Sequence, residues 1–271
     1  MPEFRKRVVD GDSIQSARDL RFQLIDDRHR PGFHFVVPED IARPADPNGA
    51  IYWNGRYHLG YIYQENGVHK WGHASSLDLL HWRHHLPWLE PTIDSPEVGI
   101  YSGNCFINKD GEATMLYHGV EVGNCIATSS DPYLDLWKKF RENPIVPVAE
   151  GENGPRLGAN PFASWDPCGW LYQGNYYAIF GGKPPAIFRS SDLSTWEYLG
   201  DLFSGVPEGV DPQEDVSCPD FFPMGDKWVL VCISHSLGCR YYVGDWNGGQ
   251  FSAERHEQMS WVDNYYFAPE S

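Results

Sequence analysis

Short stretches in which aromatic and aliphatic residues alternate with polar ones recur along the chain, each behind a small polar turn. They are Trp53-Asn54-Gly55-Arg56-Tyr57-His58-Leu59, Lys109-Asp110-Gly111-Glu112 ahead of Met115-Leu116-Tyr117, and Gln173-Gly174-Asn175-Tyr176-Tyr177. Period-two alternation bounded by Gly and Asn predicts β-hairpins. Downstream of each hairpin stands a common phrase: Ser75-Ser76-Leu77-Asp78-Leu79-Leu80-His81-Trp82, Ser129-Ser130-Asp131-Pro132-Tyr133-Leu134-Asp135-Leu136-Trp137 and Ser190-Ser191-Asp192-Leu193-Ser194-Thr195-Trp196. A hairpin unit repeating every 50–60 residues or so predicts a radial β-propeller with one four-stranded blade per unit.

The predicted blades run from Phe33 to Trp88, Gly99 to Val146, Phe162 to Phe203 and Val216 to Phe251, and the stretch from Ser260 to Pro269 reads as the first strand of a fifth. The expected fold class is therefore all-β, a five-bladed β-propeller whose fifth blade is incomplete in this chain. An inner strand without partners leaves an open ring, to be closed by a second copy of the chain in a homo-oligomer or by a further C-terminal segment. A four-bladed propeller whose last strand completes an earlier blade is the alternative. Residues 1–30, in which Leu20, Phe22, Leu24 and Ile25 sit among charges, read as an N-terminal extension with a short helix, and residues 31–271 as the propeller domain.

Composition narrows the partners. The length of 271 residues suits one all-β domain, and 15% aromatic residues suit many short strands. A net charge of −16 with a pI near 5.0 argues against nucleic acid, whose phosphates need clustered Lys and Arg, and a neutral polar small molecule fits better. No apolar run resembles a signal peptide or a membrane span, so no membrane partner is expected and a cytoplasmic protein is. The six cysteines contain no Cys-x-x-Cys pair and read as reduced packing residues. His58, His73 and His235 lack ligand spacing and read as hydrogen-bonding strand residues, so neither a metal nor a cofactor is expected.

Candidate chemistry gathers at strand starts. Asp46-Pro47-Asn48-Gly49, taken alone, reads as a type I turn ahead of the first aromatic strand. Trp165-Asp166-Pro167 and Ser217-Cys218-Pro219-Asp220-Phe221-Phe222 occupy the corresponding places in the third and fourth blades. Polar residues at matching starts of inner strands converge on a propeller's central channel, which makes these three segments parts of one site.

From Pro31 to Ser271 the chain resembles glycoside hydrolase family 32, the β-fructosidases. The motifs that carry the resemblance stand in the family's order: Arg30-Pro31-Gly32-Phe33-His34-Phe35, Asp46-Pro47-Asn48-Gly49, Tyr57-His58-Leu59, Trp71-Gly72-His73-Ala74-Ser75-Ser76, Tyr101-Ser102-Gly103, Asp166-Pro167 and Cys218-Pro219-Asp220-Phe221-Phe222. The resemblance implies a carbohydrate-active enzyme that hydrolyses or transfers a fructosyl or related furanosyl unit with retention, Asp46 acting as nucleophile and Asp166 as transition-state stabiliser. It also implies sugar contacts from Trp71, as a pocket wall, and from Ser102.

Three departures qualify it. Ser217 stands where the family carries its general-acid Glu, Trp165 replaces the Arg before the third-blade Asp, and Arg43-Pro44-Ala45 replaces the usual Trp-Met-Asn. Ser217 and Trp165 then remain as substrate contacts of a different kind. A serine hydroxyl is far too weak an acid to protonate a leaving oxygen. The acid has therefore moved, the linkage is unusual, or the chain is a sugar-binding protein on a hydrolase scaffold. For a moved acid the leading candidate is Glu270, where the family usually has Gln, and Glu214 and Asp215 read instead as a solvated acidic turn.

Overall fold

The computed structural model describes residues 43–148, 162–211, 214–259 and 268–271. The predicted N-terminal helix, the Arg30–Phe35 motif and most of the expected Ser260–Pro269 strand lie outside the described residues. Among those described there is no helix, and the strands form four sheets, antiparallel except for one parallel edge strand.

The first blade comprises β1 (Arg43–Trp53), β2 (Arg56–Glu65), β3 (Val68–Ser76) and β4 (Trp82–His84). The second comprises β5 (Ile100–Ile107), β6 (Ala113–Gly119), β7 (Gly123–Ser129) and β8 (Lys138–Lys139), with β9 (Val146–Pro147) also on β7. The third comprises β10 (Pro167–Tyr172), β11 (Asn175–Phe180), β12 (Ala186–Ser190) and β13 (Glu197–Asp201). In the fourth, β14 (Phe203–Gly205) joins in parallel the outer edge of a meander formed by β15 (Ser217–Met224), β16 (Lys227–Ser234), β17 (Gly238–Trp246) and β18 (Phe251–Gln258). The fourth blade thus extends past its predicted limit at Phe251, because a further strand folds back on Trp246 through the Asn247-Gly248 turn.

Each blade is apolar on both faces, so the core lies between blades. Trp71, Trp88, Ile100 and Met115 fill the space between the first and second; Leu116, Ile126, Ala178 and Phe180 fill that between the second and third. Trp170, Ile187, Phe221 and Tyr242 do the same between the third and fourth. The repeated phrase builds the turn into each outer strand. Ser76, Ser129 and Ser190 each accept an N–H two residues on, and the indoles of Trp82, Trp137 and Trp196 donate to the carbonyls of Leu79, Leu134 and Leu193. Those three leucines have φ of +63°, +55° and +69°, a left-handed conformation that the turn imposes on a residue type that resists it.

The inner strands β1, β5, β10 and β15 are joined by side chains that bond a neighbouring blade's backbone. Asn48 accepts the Gly103 N–H at 2.9 Å, and Asn104 accepts from Gly169 N at 2.7 Å and donates to its carbonyl at 2.9 Å. The Cys168 thiol reaches the Asp220 carboxylate at 3.9 Å, Asp220 accepts the Ser271 N–H at 2.8 Å, and Glu270 accepts the Ala50 N–H at 2.6 Å. The segment Ala268–Ser271 therefore stands between the inner strands of the fourth and first blades and completes a cycle of polar bonds around the axis.

Two outcomes follow for stability. Leu79 is 48% exposed, whereas Leu134 is wholly buried. Leu79→Gly removes left-handed strain with little lost packing and is expected to raise stability by about 1 kcal/mol, while Leu134→Gly loses core contacts and lowers it by about 2–4 kcal/mol in chemical denaturation. Opposite signs are the test. Secondly, burial first and the neighbouring Asp220 next push the Glu270 carboxyl well above the usual range, against the pull of the Ala50 and Gly49 amides. Since its folded-state pKa exceeds the unfolded one, its contribution to folding is full in acid and is lost as pH rises through the folded value. Glu270→Gln keeps the acceptor, so the variant should melt higher than the parent at pH 8 and equally at pH 4; a gain that does not depend on pH would contradict a buried ionisation there.

Candidate active site

Asp46 lies within β1 rather than ahead of it. Register shifts between Pro44 and Pro47 and between Asn48 and Ile51 bulge the strand, because Pro47 has no N–H for the ladder and Gly49 takes φ +64°. A Cβ on Gly49 would come within 2.7 Å of the Cys105 sulfur, so the bulge can pack only with glycine there. Asn48 fixes the result by donating to the Asp46 carbonyl at 2.8 Å while holding Gly103.

Two residues before each member of the bonded ring Asn48, Asn104, Cys168, Asp220 and Glu270 stand Asp46, Ser102, Asp166, Cys218 and Ala268. The first four of these meet. Ser102 Oγ donates to Asp46 Oδ2 at 3.1 Å. The Cys218 sulfur lies 3.6 Å from Asp46 Oδ2, 3.6 Å from Asp166 Oδ2 and 3.4 Å from Ser102 Oγ. The two carboxylate oxygens are therefore no farther apart than twice the first distance, and residues from the first and third blades share one site. Ser217 Oγ donates to Asp166 Oδ2 at 2.6 Å, and the Cys218 N–H donates to the same oxygen at 3.1 Å. Cys218 adopts φ +44°, a strained backbone that turns its thiol inward.

The electrostatics follow from crowding two acids in a dry place. Burial raises the Asp46 pKa, the Ser102 hydrogen bond lowers it in part, and the Asp166 charge raises it further. Burial and then the two carboxylates push the Cys218 thiol well up, so it stays protonated. Beside this group a cavity of about 570 Å³ is lined by Tyr101, His118, Trp165, Asp166, Ser217 and His235 among others, a volume suited to a small sugar.

Three expectations need correction. Trp71 does not wall the pocket: it is fully buried in the core between the first two blades, its indole donating to the Tyr101 carbonyl at 2.9 Å. Glu270 does not join Asp46. Its carboxylate is taken up by the Ala50 amide and its charged neighbour is Asp220, in the bonded ring two residues along. Asp215 is not solvated either; it is buried and accepts from His235, while Glu214 accepts from Ser234 and Ser236. Ser102, Asp166, Trp165 and Ser217 do stand at the site.

The Cys218 thiol was read as a packing residue, although its place two residues before the buried Asp220 matches Asp46 before Asn48. A second cluster brings His73 Nδ1 and His85 Nδ1 to 3.5 Å and 3.1 Å from Asp135 Oδ1. The two rings are stacked 4.1 Å apart at 19°. Burial above all lowers the His73 pKa to about 2 and that of its partner His58, 2.9 Å away, to about 4, which leaves a neutral hydrogen-bonded stack.

Residues 34–270 match the family model described as the glycosyl hydrolases family 32 N-terminal domain. Sucrose-6-phosphate hydrolase of Salmonella typhimurium is 29% identical over 95% of this chain and 59% of its own length, and the insoluble β-fructofuranosidase isoenzyme 1 of Oryza sativa subsp. indica is 32% identical over 84% and 41%. The chain thus spans well under two thirds of the curated relatives it matches. Among solved structures, a variant of fructan 1-exohydrolase IIa of Cichorium intybus in complex with 1-kestose superposes with a TM-score of 0.67 at 26% identity, covering 82% of this chain and 46% of that one.

The opposed influences on Asp46 give a paired prediction. Asp166→Asn removes a neighbouring negative charge and should lower the Asp46 pKa, whereas Ser102→Ala removes a donor to the carboxylate and should raise it. Carbon-13 NMR titration of the Asp46 carboxyl reads both; shifts of one sign would mean that the two groups do not act on it independently.

Proposed function

Because this chain belongs to glycoside hydrolase family 32, we propose that it cleaves a terminal fructosyl or closely related furanosyl unit by a double displacement. The observation that carries the reading is the meeting of Asp46 and Asp166 around the Cys218 thiol beside a sugar-sized cavity. Asp46, freed of its proton and oriented by Ser102, attacks the anomeric carbon and forms a glycosyl ester; water then breaks that ester with net retention. Asp166 accepts hydrogen bonds from sugar hydroxyls, exchanging the one it takes from Ser217 for one from the ligand. Trp165, in the place of the family's Arg, presents an aromatic edge where a cation would otherwise contact the substrate, which favours a neutral sugar over a phosphorylated one at that position. What the relatives are named for hydrolysing supports the β-fructofuranoside class.

Ser217 in the acid's place favours a second reading, a protein that binds a furanoside without cleaving it. Fructose release from a β-fructofuranoside separates them. Asp46→Ala is expected to lower turnover at least about 1,000-fold while the melting temperature stays within a few degrees, since the carboxylate is no part of the core. Turnover that survives the substitution would reject the double displacement, and sugar binding by calorimetry without release from the parent protein would establish the binding reading.

A further inference from the structure

We propose that His235, held by Asp215, is the proton donor of this site and fills the role that Ser217 cannot. The proposal rests on the fructosidase reading above. Ser217 pairs with Ile233 across β15 and β16, so the same register carried two residues outward sets Asp215 opposite His235. The imidazole is fixed there: Nδ1 lies 2.7 Å from Asp215 Oδ2, and the His235 backbone N–H reaches both oxygens of that carboxylate at 3.2 Å and 3.1 Å. The carboxylate is buried, its side chain 6% exposed, while the histidine side chain is 64% exposed and lines the cavity with Asp166 and Ser217. Its ring meets the edge of Trp165 with centroids 6.1 Å apart at 78°, so the imidazole and the indole form adjoining parts of one wall.

A buried carboxylate that accepts a hydrogen bond from Nδ1–H orients the ring and leaves Nε2 to exchange a proton with a ligand, an arrangement suited to general acid and base work that a serine hydroxyl cannot supply. The other titratable groups near it are accounted for. Glu214 is bonded by Ser234 and Ser236 and influenced by Lys183, and His118 Nδ1 stands 3.0 Å from Asn124 Oδ1. Glu121, exposed at the β6–β7 turn, also lines the cavity and is the competing donor.

In the first step Asp46 forms its bond to the anomeric carbon as the glycosidic C–O bond breaks. The bonding pair goes to the leaving oxygen, which takes the Nε2 proton, so an alcohol departs and neutral imidazole remains. In the second step that Nε2 removes a proton from water as its oxygen attacks the anomeric carbon, and the Asp46 carboxylate is released. Protons and electron pairs balance with no further reactant. Asp215 acts as a positioning residue throughout.

The test compares His235→Gln with the parent on sucrose, whose leaving group needs a proton, and on an aryl β-fructofuranoside, whose leaving group hardly does. His235→Gln should lose about 100-fold or more in kcat/KM on sucrose and less than tenfold on the aryl substrate, and azide should restore aryl turnover with formation of fructosyl azide. Asp215→Asn should show the same split at smaller size, which a loss of folding would not produce. Equal losses on both substrates, no loss at all, or the split appearing in Glu121→Gln instead would overturn the proposal while leaving the Asp46 mechanism standing. A parent protein inert toward both substrates would overturn it together with the fructosidase reading.

Discussion

Everything at the centre of this molecule depends on buried polar side chains that bond the backbone of the next blade. Inner strands of a propeller cannot pair with one another as a sheet, so their axis-facing amides need side-chain partners, and a buried amide left without one costs about 1–3 kcal/mol. Asn104 answers this with a side-chain amide that mimics a peptide, accepting from and donating to Gly169. Asp220 and Glu270 answer it with carboxylates on Ser271 and Ala50. A ring built this way fixes the height and rotation of each inner strand relative to its neighbours.

That fixed height is what assembles the site. Two residues away in the chain stand Asp46, Ser102, Asp166 and Cys218, and their side chains meet because the ring beside them leaves little freedom to drift. The bonded ring ties the blades together, and the adjoining level gathers two carboxylates around a thiol. Strain collects on the second: Cys218 and Ala268 both have left-handed backbones, at φ +44° and +47°, and both stand at that level. A protonated thiol between two carboxylates then serves as a weak donor and a spacer that holds them apart.

The blade count and the partnership of Asp46 with Asp166 were legible because both follow from repetition. Hairpin spacing and the Ser-to-Trp phrase mark each outer turn, and matching strand starts must converge on the axis. Trp71 misled, since an aromatic residue on a strand suits a pocket wall and an interblade core equally well, and only packing separates them. Glu270 misled for a subtler reason: a carboxyl near the channel looks catalytic, but its place two residues along the chain puts it in the bonded ring on Ala50 and not beside Asp46. Asp215 was taken for a solvated turn because its partner His235 is remote in sequence, and a cross-strand pair is visible only once the register of β15 and β16 is known.

The same register explains how an acid can be exchanged without rebuilding the fold. Ser217 lies at the first pairing of β15 with β16, lines the cavity and donates to Asp166 at 2.6 Å. Beyond that point the ladder of β15 and β16 ends, although Val216 still bridges Gly182 of the third blade and Asp215 still holds His235. A carboxylate there can be buried against its neighbouring strand while the residue opposite projects into the cavity, as Asp215 and His235 do. Variation in proton-handling groups is therefore least expensive just outside the last strand pair, within reach of the ligand and beyond the bonded ring that holds the blades together.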